Sequence, residues 1–385
     1  MSREVPEGWR RSQLGDLIKL EYGKALASAE RTHGPIPVFG SSGVVGYHDK
    51  AAAAGPSIVI SRKGSLGGVF YVEGKFWPID TTYFVVQREI SDWRWLTYLL
   101  KFASLERLNE ATGVPGLNRD KATKEQVLVP PLHEQRRIAE ILSNVDEAIA
   151  ATRAVIEQTR KVKQSALGTL FHRGNWSDAG LPADHSLTRL EDIARRGSGH
   201  TPSKKFNEYW NGGIAWVSLQ DTKALDRRYI DTTAANISEL GITNSSAEVH
   251  PAGTVFVSRD ATVGRVGVMR VPMAVSQHFI SWTCGPMLDN VFLYYWLLNM
   301  KPVFERIAAG STIKTIGLPF FKELEIALPA VATQKRIASQ MMAIDDALDG
   351  NEASLAELAV LKSALMSDLL TGRKRVTDAL PMAAE

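Results

Sequence analysis

Apolar residues recur at alternating spacings of four and three in two stretches of the chain, residues 133–172 and 332–371. This spacing places the apolar side chains on one stripe of a helix, and a long stripe of this kind is typical of a coiled coil. The second stripe follows the first at an offset of 199 positions, which relates Gln135 to Gln334. The stripe residues predicted to pair the helices are Ile138, Leu142, Val145, Ile149, Ile156, Ile337, Met341, Ile344, Leu348 and Leu355.

The length of these stretches decides how the helices are interpreted. A core helix of an ordinary bundle is the alternative, but globular helices mostly run about 8–20 residues. Thr152 and Asn351 occupy the same polar position of the two stripes, and a polar residue there often sets the register of a coiled coil. We therefore predict two long helices packed antiparallel on each other.

The segments that precede the helices are also related. Residues 61–67 align with residues 258–264, each after a short apolar run, which predicts a strand followed by a turn. The fold class predicted is α+β, with two pseudo-repeated α/β domains separated by two long antiparallel coiled-coil helices. The predicted boundaries are a first domain at 1–130, a first helical region at 131–174, a second domain at 175–328, a second helical region at 329–372 and a disordered tail at 373–385.

Composition narrows the class of protein only slightly. The net charge of +3 over 385 residues allows nucleic-acid binding through local patches without demanding it. The one cysteine, Cys284, excludes an internal disulfide and fits a reducing, cytoplasmic compartment. The most apolar run, residues 291–298, is shorter than the roughly 20 residues of a membrane-spanning helix.

A proline followed by a charged helix start occurs in both copies and is the motif that carries a family resemblance. Its residues are Pro130, Pro131, Glu134, Gln135, Arg136, Ile138 and Ala139 in the first copy, and Leu328, Pro329, Gln334, Lys335, Arg336, Ile337 and Ala338 in the second. The arrangement of domain, helix, domain and helix resembles the specificity subunits of type I restriction-modification systems. The second copy departs from the pattern by carrying Thr333 where the first has Glu134.

The resemblance implies that each globular part is a target-recognition domain for one half of a split double-stranded DNA target, and that the helices set the gap. It also implies two partner modification subunits that hold S-adenosylmethionine, restriction and translocation subunits that can join them, and no cofactor or metal on this chain. Residues predicted to bind the partner subunits are Glu134, Gln135, Arg136, Arg137, Gln334, Lys335 and Arg336.

Candidate DNA-binding residues are polar or cationic side chains in the turns and loops of the two globular parts. Phosphate contacts would supply affinity, and side chains that reach base edges would supply specificity. A plain surface role remains open for each of them. They are Ser41, Ser42, Arg62, Lys63, Ser65, Asn118, Arg119, Lys204, Lys205, Gln220, Arg259, Thr262, Gln277, Thr312 and Lys314.

The sequence motifs give little support to a methyltransferase or nuclease function. The chain has Pro130-Pro131 without the polar and aromatic neighbours of an adenine methyltransferase motif. Asp49, Glu73 and Lys75 loosely resemble a magnesium-dependent nuclease set, but the second copy has no counterpart. A coiled-coil scaffold without DNA specificity is the other alternative, and a non-catalytic recognition subunit is the favoured reading.

Overall fold

The computed structural model describes residues 5–109, 113–171, 181, 184–309 and 315–376. The chain forms two compact units, the first from residues 1–154 and 352–385 and the second from residues 155–351. Each long helix contributes one part to each unit. The helical regions are therefore shared between the units.

In the part of the chain that the structure describes, the first unit contains ten strands, which form three sheets. The strands are β1 (Arg10–Gln13), β2 (Ile18–Tyr22), β3 (Ile36–Gly40), β4 (Gly43–His48), β5 (Ala53–Ala54), β6 (Ser57–Ser61), β7 (Val69–Val72), β8 (Lys75–Pro78), β9 (Thr82–Gln87) and β10 (Gln126–Val129). One sheet has the order β2-β9-β6-β7, another β4-β3-β8-β5, and β1 pairs with β10. The helices are α1 (Leu14–Leu17), α2 (Trp93–Ala103), α3 (Arg119–Thr123) and α4 (Leu132–Leu170).

The second unit repeats this plan. Its strands are β11 (His185–Arg189), β12 (Ala194–Ser198), β13 (Trp210–Val217), β14 (Tyr229–Ile230), β15 (Ala235–Ile237), β16 (Val255–Ser258), β17 (Val266–Met269), β18 (Met273–Val275), β19 (Phe279–Cys284) and β20 (Glu325–Pro329). The sheets have the orders β12-β19-β16-β17-β14 and β15-β13-β18, and β11 pairs with β20. The helices are α5 (Leu190–Ile193), α6 (Glu239–Thr243), α7 (Asn290–Ala309), α8 (Leu318–Lys322) and α9 (Val331–Leu370).

Strand register confirms that the two units are copies of one fold. Ile60 of β6 pairs with Tyr83 of β9, and Val257 of β16 pairs with Ile280 of β19, at the same sequence separation. The strand-turn prediction at 61–67 and 258–264 is correct, because each turn joins two antiparallel neighbours of the sheet.

The central strand of each unit is buried on both faces, which explains its unbroken apolar sequence. Ile58 and Ile60 of β6 pack in the cluster that contains α2, whereas Val59 faces the opposite cluster with Phe39 and Phe76. In the second unit Val255 and Val257 pack with α7, and Phe256 faces the other way. Each unit therefore has apolar clusters on both sides of its main sheet.

In each unit one salt bridge and the shared core cluster show that α4 and α9 run antiparallel, because the start of one helix packs in the cluster that holds the end of the other. In the first unit the Lys362 ammonium lies 2.6 Å from Asp146, and in the second unit Lys163 lies 2.6 Å from Asp345. The 199-residue repeat relates the two aspartates and likewise the two lysines. A tyrosine hydroxyl of the neighbouring helix donates to each aspartate, from Tyr98 at 2.8 Å and from Tyr295 at 2.6 Å.

The predicted stripe is buried as expected in α4 and α9. Ile138, Leu142, Ile149 and Ile156 are buried in α4 and Ile337, Met341 and Leu348 in α9, while Val145, Ile344 and Leu355 are half-buried. The helices begin one residue earlier and end one or two residues earlier than predicted.

The polar stripe positions and the tail differ from expectation. Thr152 and Asn351 each donate to a carbonyl of their own helix, so the Asp–Lys pairs provide the polar links that the structure shows between the helices.

The first residues of the predicted disordered tail are ordered against the first unit. Arg375 donates to both carboxylate oxygens of Glu134 and to the Glu7 carbonyl at 2.9 Å.

Candidate nucleic-acid interface

In each unit, loops that carry candidate DNA-binding residues lie together at one end of the main sheet. In the first unit the chain leaves β2 after Tyr22 and β6 after Ser61, and it enters β9 at Thr82, all at the same end because β9 is antiparallel to both. In the second unit the ends of β12 and β16 and the start of β19 meet in the same way. We call these two places the strand-end sites.

A further loop closes each strand-end site. In the first unit the Leu117 amide donates to the Arg62 carbonyl at 2.8 Å, and in the second the Ile316 amide donates to the Arg259 carbonyl at 2.8 Å. The loops that precede the helix start motifs are therefore fastened to the turns that follow the central strands.

The first strand-end site is a cationic cleft of about 290 Å³. The Arg62 guanidinium lies 4.8 Å from the centre of the Tyr22 ring, and that of Arg119 lies 5.1 Å from it. Lys63 also lines the cleft. The structure thus brings together Arg62, Lys63, Asn118 and Arg119, four residues predicted from separate parts of the sequence.

Hydrogen bonds hold the walls of this cleft. Arg62 donates to the Asp80 carbonyl at 2.7 Å, and the Tyr83 hydroxyl donates to the Leu117 carbonyl at 3.2 Å. Burial raises the pKa of Tyr83, so its phenol stays protonated as a donor. The guanidinium groups of Arg62 and Arg119 and the Lys63 ammonium suit an anionic ligand such as a phosphate, although the Asp120 carboxylate lies 3.9 Å from Arg119.

The other predicted residues of the first unit take different roles. Ser41 donates to the carbonyls of Lys63 and Thr81 and so ties the β3–β4 turn to the cleft. Asn118 caps α3 by accepting from the Asp120 and Lys121 amides. Ser42 and Ser65 are exposed in the turns. The side-chain oxygens of Ser41 and Asn118 therefore position the backbone of the site.

The second strand-end site carries different side chains on the same backbone plan. Arg259 donates to the Ile316 carbonyl at 3.0 Å, and Asp260 lies 2.6 Å from the ring of His278. Gln277 is exposed beside them and accepts from the Thr201 hydroxyl. Here too the structure gathers predicted residues, Arg259 and Gln277.

The remaining predicted residues of the second unit lie on its surface. Lys204 and Lys205 are exposed in the loop that follows Thr201, Gln220 is exposed in the 3-10 helix Leu219–Asp226, and Thr262 is exposed in the turn after β16. Thr312 and Lys314 lie outside the described residues.

The helix start motif requires a correction. Glu134, Gln135 and Gln334 were predicted to bind partner subunits, but their side chains are 2%, 3% and 0% exposed. Gln135 accepts from the Asp92 amide at 2.9 Å and donates to the Pro130 carbonyl at 3.0 Å, and Glu134 accepts from the Trp9 indole at 3.1 Å. These side chains join the helix to its own globular part, which leaves them no surface for a partner.

The cations of the same motif are accessible. Arg136, Lys335 and Arg336 are exposed, and Arg137 is half-buried and pairs with Glu140 at 2.6 Å. The motif therefore has one buried side, which packs against the globular part, and one basic side, which faces solvent.

Several residues of the strand-end sites were missed from the sequence. Tyr22 and Tyr83 are far apart in the chain, and neither is part of a motif. Thr201 likewise becomes a neighbour of Gln277, and Asp260 a neighbour of His278, only through the sheet. The one available signal was Tyr22 itself, an aromatic residue at the end of a strand just before Gly23.

The residues of the nuclease-like set have separate partners. Asp49 accepts from Thr32, and this hydrogen bond lowers the pKa of its carboxyl group, whereas Glu73 lies 3.6 Å from Arg94. In the part of the chain that the structure describes, no group of three or more His, Cys, Asp or Glu side chains could hold a metal ion. Among the same residues, no helix is long and apolar enough to cross a membrane.

Comparison with known families decides what the repeated unit is. Residues 6–159 and 182–359 each match the type I restriction modification DNA specificity domain. The chain belongs to this family. Its two matched segments correspond to the two copies seen in the sequence and the fold.

Sequence matches to specificity subunits cover about half or nearly all of the chain. The MjaVIII specificity subunit of Methanocaldococcus jannaschii is 24% identical over 97% of this chain and 94% of its own length. The match to the MjaIX specificity subunit of the same organism is 28% identical and spans 45% of this chain and 40% of that subunit. The crystal structure of an S subunit from M. genitalium has the same fold, with a TM-score of 0.64, 17% identity and coverage of 96% and 97% of the two chains.

Proposed function

We propose that this specificity-family chain is the DNA-recognition subunit of a type I restriction-modification complex and that each unit reads one half of a bipartite target. The observation that carries the proposal is the repeated strand-end site. The same backbone junction occurs in both family-matched segments, with Arg62 and Lys63 in one and Arg259 and Gln277 in the other. One backbone frame with two sets of side chains suits two unlike half-sites.

The first strand-end site supplies phosphate contacts in this proposal. Arg62, Lys63 and Arg119 present their charges around one cleft, and stacking on Tyr22 limits the conformations of both guanidinium groups. Preordered cations at a phosphate set the register from which neighbouring side chains reach base edges.

The helices are proposed to set the gap between the half-sites. At 1.5 Å per residue, helices of 39 and 40 residues each span about 60 Å. The exposed cations Arg136, Lys335 and Arg336, together with the half-buried Arg137, are proposed docking residues for the modification subunits. In this proposal the modification subunits bind S-adenosylmethionine and carry out catalysis, and this chain is non-catalytic. Restriction and translocation subunits join the complex through the modification subunits. The complex acts in the cytoplasm.

The proposal is tested by the salt dependence of duplex binding. The full-length chain, alone and with its modification subunits, is titrated with a random 40-base-pair duplex at several salt concentrations. Because each phosphate contact contributes about 0.9 to the slope of log K against log salt, the variant Arg62→Ala/Arg119→Ala should lower the slope by about 1–2.

A matched control separates the cleft from general charge. Lys75 is an exposed lysine of the same unit on β8, outside the cleft. Lys75→Ala should change the slope by much less. A chain that binds duplex without salt dependence, or not at all, would favour the scaffold alternative instead.

A second test addresses the gap. Deleting residues 149–155 and 348–354 removes one heptad from each helix and keeps Asp146, Lys163, Asp345 and Lys362 in the chain. Both salt bridges stay in register, because each helix loses the same seven residues between its aspartate and its lysine. The helices shorten by about 10 Å, so methylation mapping should show unchanged half-sites with about three fewer base pairs between them. An unchanged gap would show that the helices do not set it.

A further inference from the structure

A chain of four polar side chains crosses the second strand-end site. His278 Nδ1 lies 2.6 Å from Asp260 Oδ1, and Gln277 Nε2 lies 3.4 Å from His278 Nε2. At the far end the Thr201 hydroxyl donates to Gln277 Oε1. The members come from three different loops, so only the folded sheet brings them together.

The two hydrogen-bond partners of Gln277 determine which way its side-chain amide points. Gln277 Nε2 faces His278 Nε2, and Gln277 Oε1 accepts from the Thr201 hydroxyl. An amide NH₂ only donates, so His278 Nε2 is the acceptor of this contact, and the His278 hydrogen lies on Nδ1, toward Asp260 Oδ1.

This orientation leaves one donor and one acceptor on an exposed amide. Among the residues that the structure describes, Gln277 uses one N–H on His278 and one lone pair on Thr201, and its second N–H and second lone pair have no partner there. In the major groove adenine offers N7 as an acceptor beside the N6 amino group as a donor, whereas guanine offers two acceptors. The free groups of Gln277 therefore match adenine.

We infer that Gln277 reads an adenine in the major groove of the second half-site, with Asp260, His278 and Thr201 as positioning residues. This inference rests on the proposed function and names one base contact within it. The first unit has Asp80 and Thr81 at the equivalent place, where Arg62 and Lys63 bond to main-chain carbonyls. The adenine contact belongs to the second unit alone.

The test uses DNA selected by the protein itself. Full-length wild-type chain, with its modification subunits, selects duplexes from a random library, and each adenine of the selected sequence is then replaced by 7-deazaadenine, which lacks the N7 acceptor. One position in one half-site should lose about 2- to 10-fold in affinity, as expected for a single hydrogen bond. Gln277→Ala should abolish the effect at that position.

Sequence preference provides the second readout. Gln277→Ala should lower the preference for A·T over other pairs at that position by about 5- to 150-fold and leave the other half-site unchanged. Gln340→Ala, which removes an exposed glutamine of α9, is the matched control and should select the wild-type sequence.

The positioning residues are tested by a change that keeps their shape. Asp260→Asn can donate as well as accept and no longer fixes the tautomer of His278, so the preference for A·T should fall while the thermal unfolding temperature stays unchanged. If Gln277→Ala selects the wild-type sequence with the wild-type preference, the inference is wrong although DNA binding stands. Loss of all salt-dependent binding by the wild-type chain would instead refute the proposed function.

Discussion

The buried glutamine at the start of each long helix should be a major determinant of stability. Gln334 is fully buried, and its amide accepts from the Asp289 amide at 2.8 Å and donates to the carbonyls of Pro329 at 2.8 Å and Met287 at 2.9 Å. The change Gln334→Leu keeps a similar volume and leaves three main-chain groups without their partner. Gln135→Leu in the first unit leaves two.

The magnitude follows from the number of groups left unsatisfied. A buried donor or acceptor without a partner costs about 1–3 kcal/mol, and partial relaxation keeps the sum below the maximum. We expect Gln334→Leu to lower the free energy of unfolding by about 3 kcal/mol and Gln135→Leu by about 2 kcal/mol. For a unit of this size, 3 kcal/mol corresponds to a fall of about 6–12 °C in Tm.

The assay must follow each unit separately, because a chain of two units need not unfold in one step. Urea denaturation combined with hydrogen exchange of β9 and β19 reports on the first and second unit, respectively. Lys335→Leu changes the exposed neighbour of Gln334 and should alter the free energy of unfolding by less than about 0.5 kcal/mol. A loss below 1 kcal/mol in Gln334→Leu, or an equal loss in Lys335→Leu, would refute this reasoning.

Three further predictions address the helices, the tail and the cysteine. Asp146→Lys should weaken the first unit by about 1 kcal/mol, and adding Lys362→Asp should restore most of this in urea denaturation; no restoration would show that the pair contributes nothing. Arg375→Met leaves the buried Glu134 carboxylate without its cation and should cost about 3 kcal/mol, whereas Glu134→Gln in the same background should recover part of the loss. Burial raises the pKa of Cys284 to about 12, so at pH 8 iodoacetamide should alkylate the folded chain far more slowly than the chain in urea, and the folded rate should still rise about tenfold per pH unit above pH 9, where the rate in urea levels off; a folded rate that levels off near pH 9 would contradict the raised pKa. Because the folded chain favours the neutral thiol, this group's contribution to stability is present below the unfolded pKa of about 8.5 and declines as the pH rises toward 12.

Much of the architecture could be predicted because its signals are local. The four-three stripe depends on residues within two helical turns of each other, so the positions of α4 and α9 are readable within one or two residues. The 199-residue repeat and the Pro-Gln-Arg motif needed only comparison of the chain with itself, and they led to the family that the domain match confirms.

The roles of individual polar residues could not be predicted in the same way. Gln135 and Arg136 are adjacent in the motif, yet one is buried with two main-chain partners and the other is exposed. Their difference depends on which face of the helix start the globular part covers. The sequence of the motif does not show which face is covered, because the packing of the sheet against the helix decides it.

By itself, the sequence determined the repeat, the two long helices and the family, because periodicity and motif spacing act between near neighbours in the chain. Only the tertiary structure decided that Tyr22 stacks beneath Arg62 and Arg119, and that Asp260, His278, Gln277 and Thr201 form one hydrogen-bonded chain. These residues lie on loops separated by tens of positions. Strand pairing brings the loop ends to one edge of the sheet, and that pairing depends on long-range hydrogen bonds and burial that no local pattern encodes.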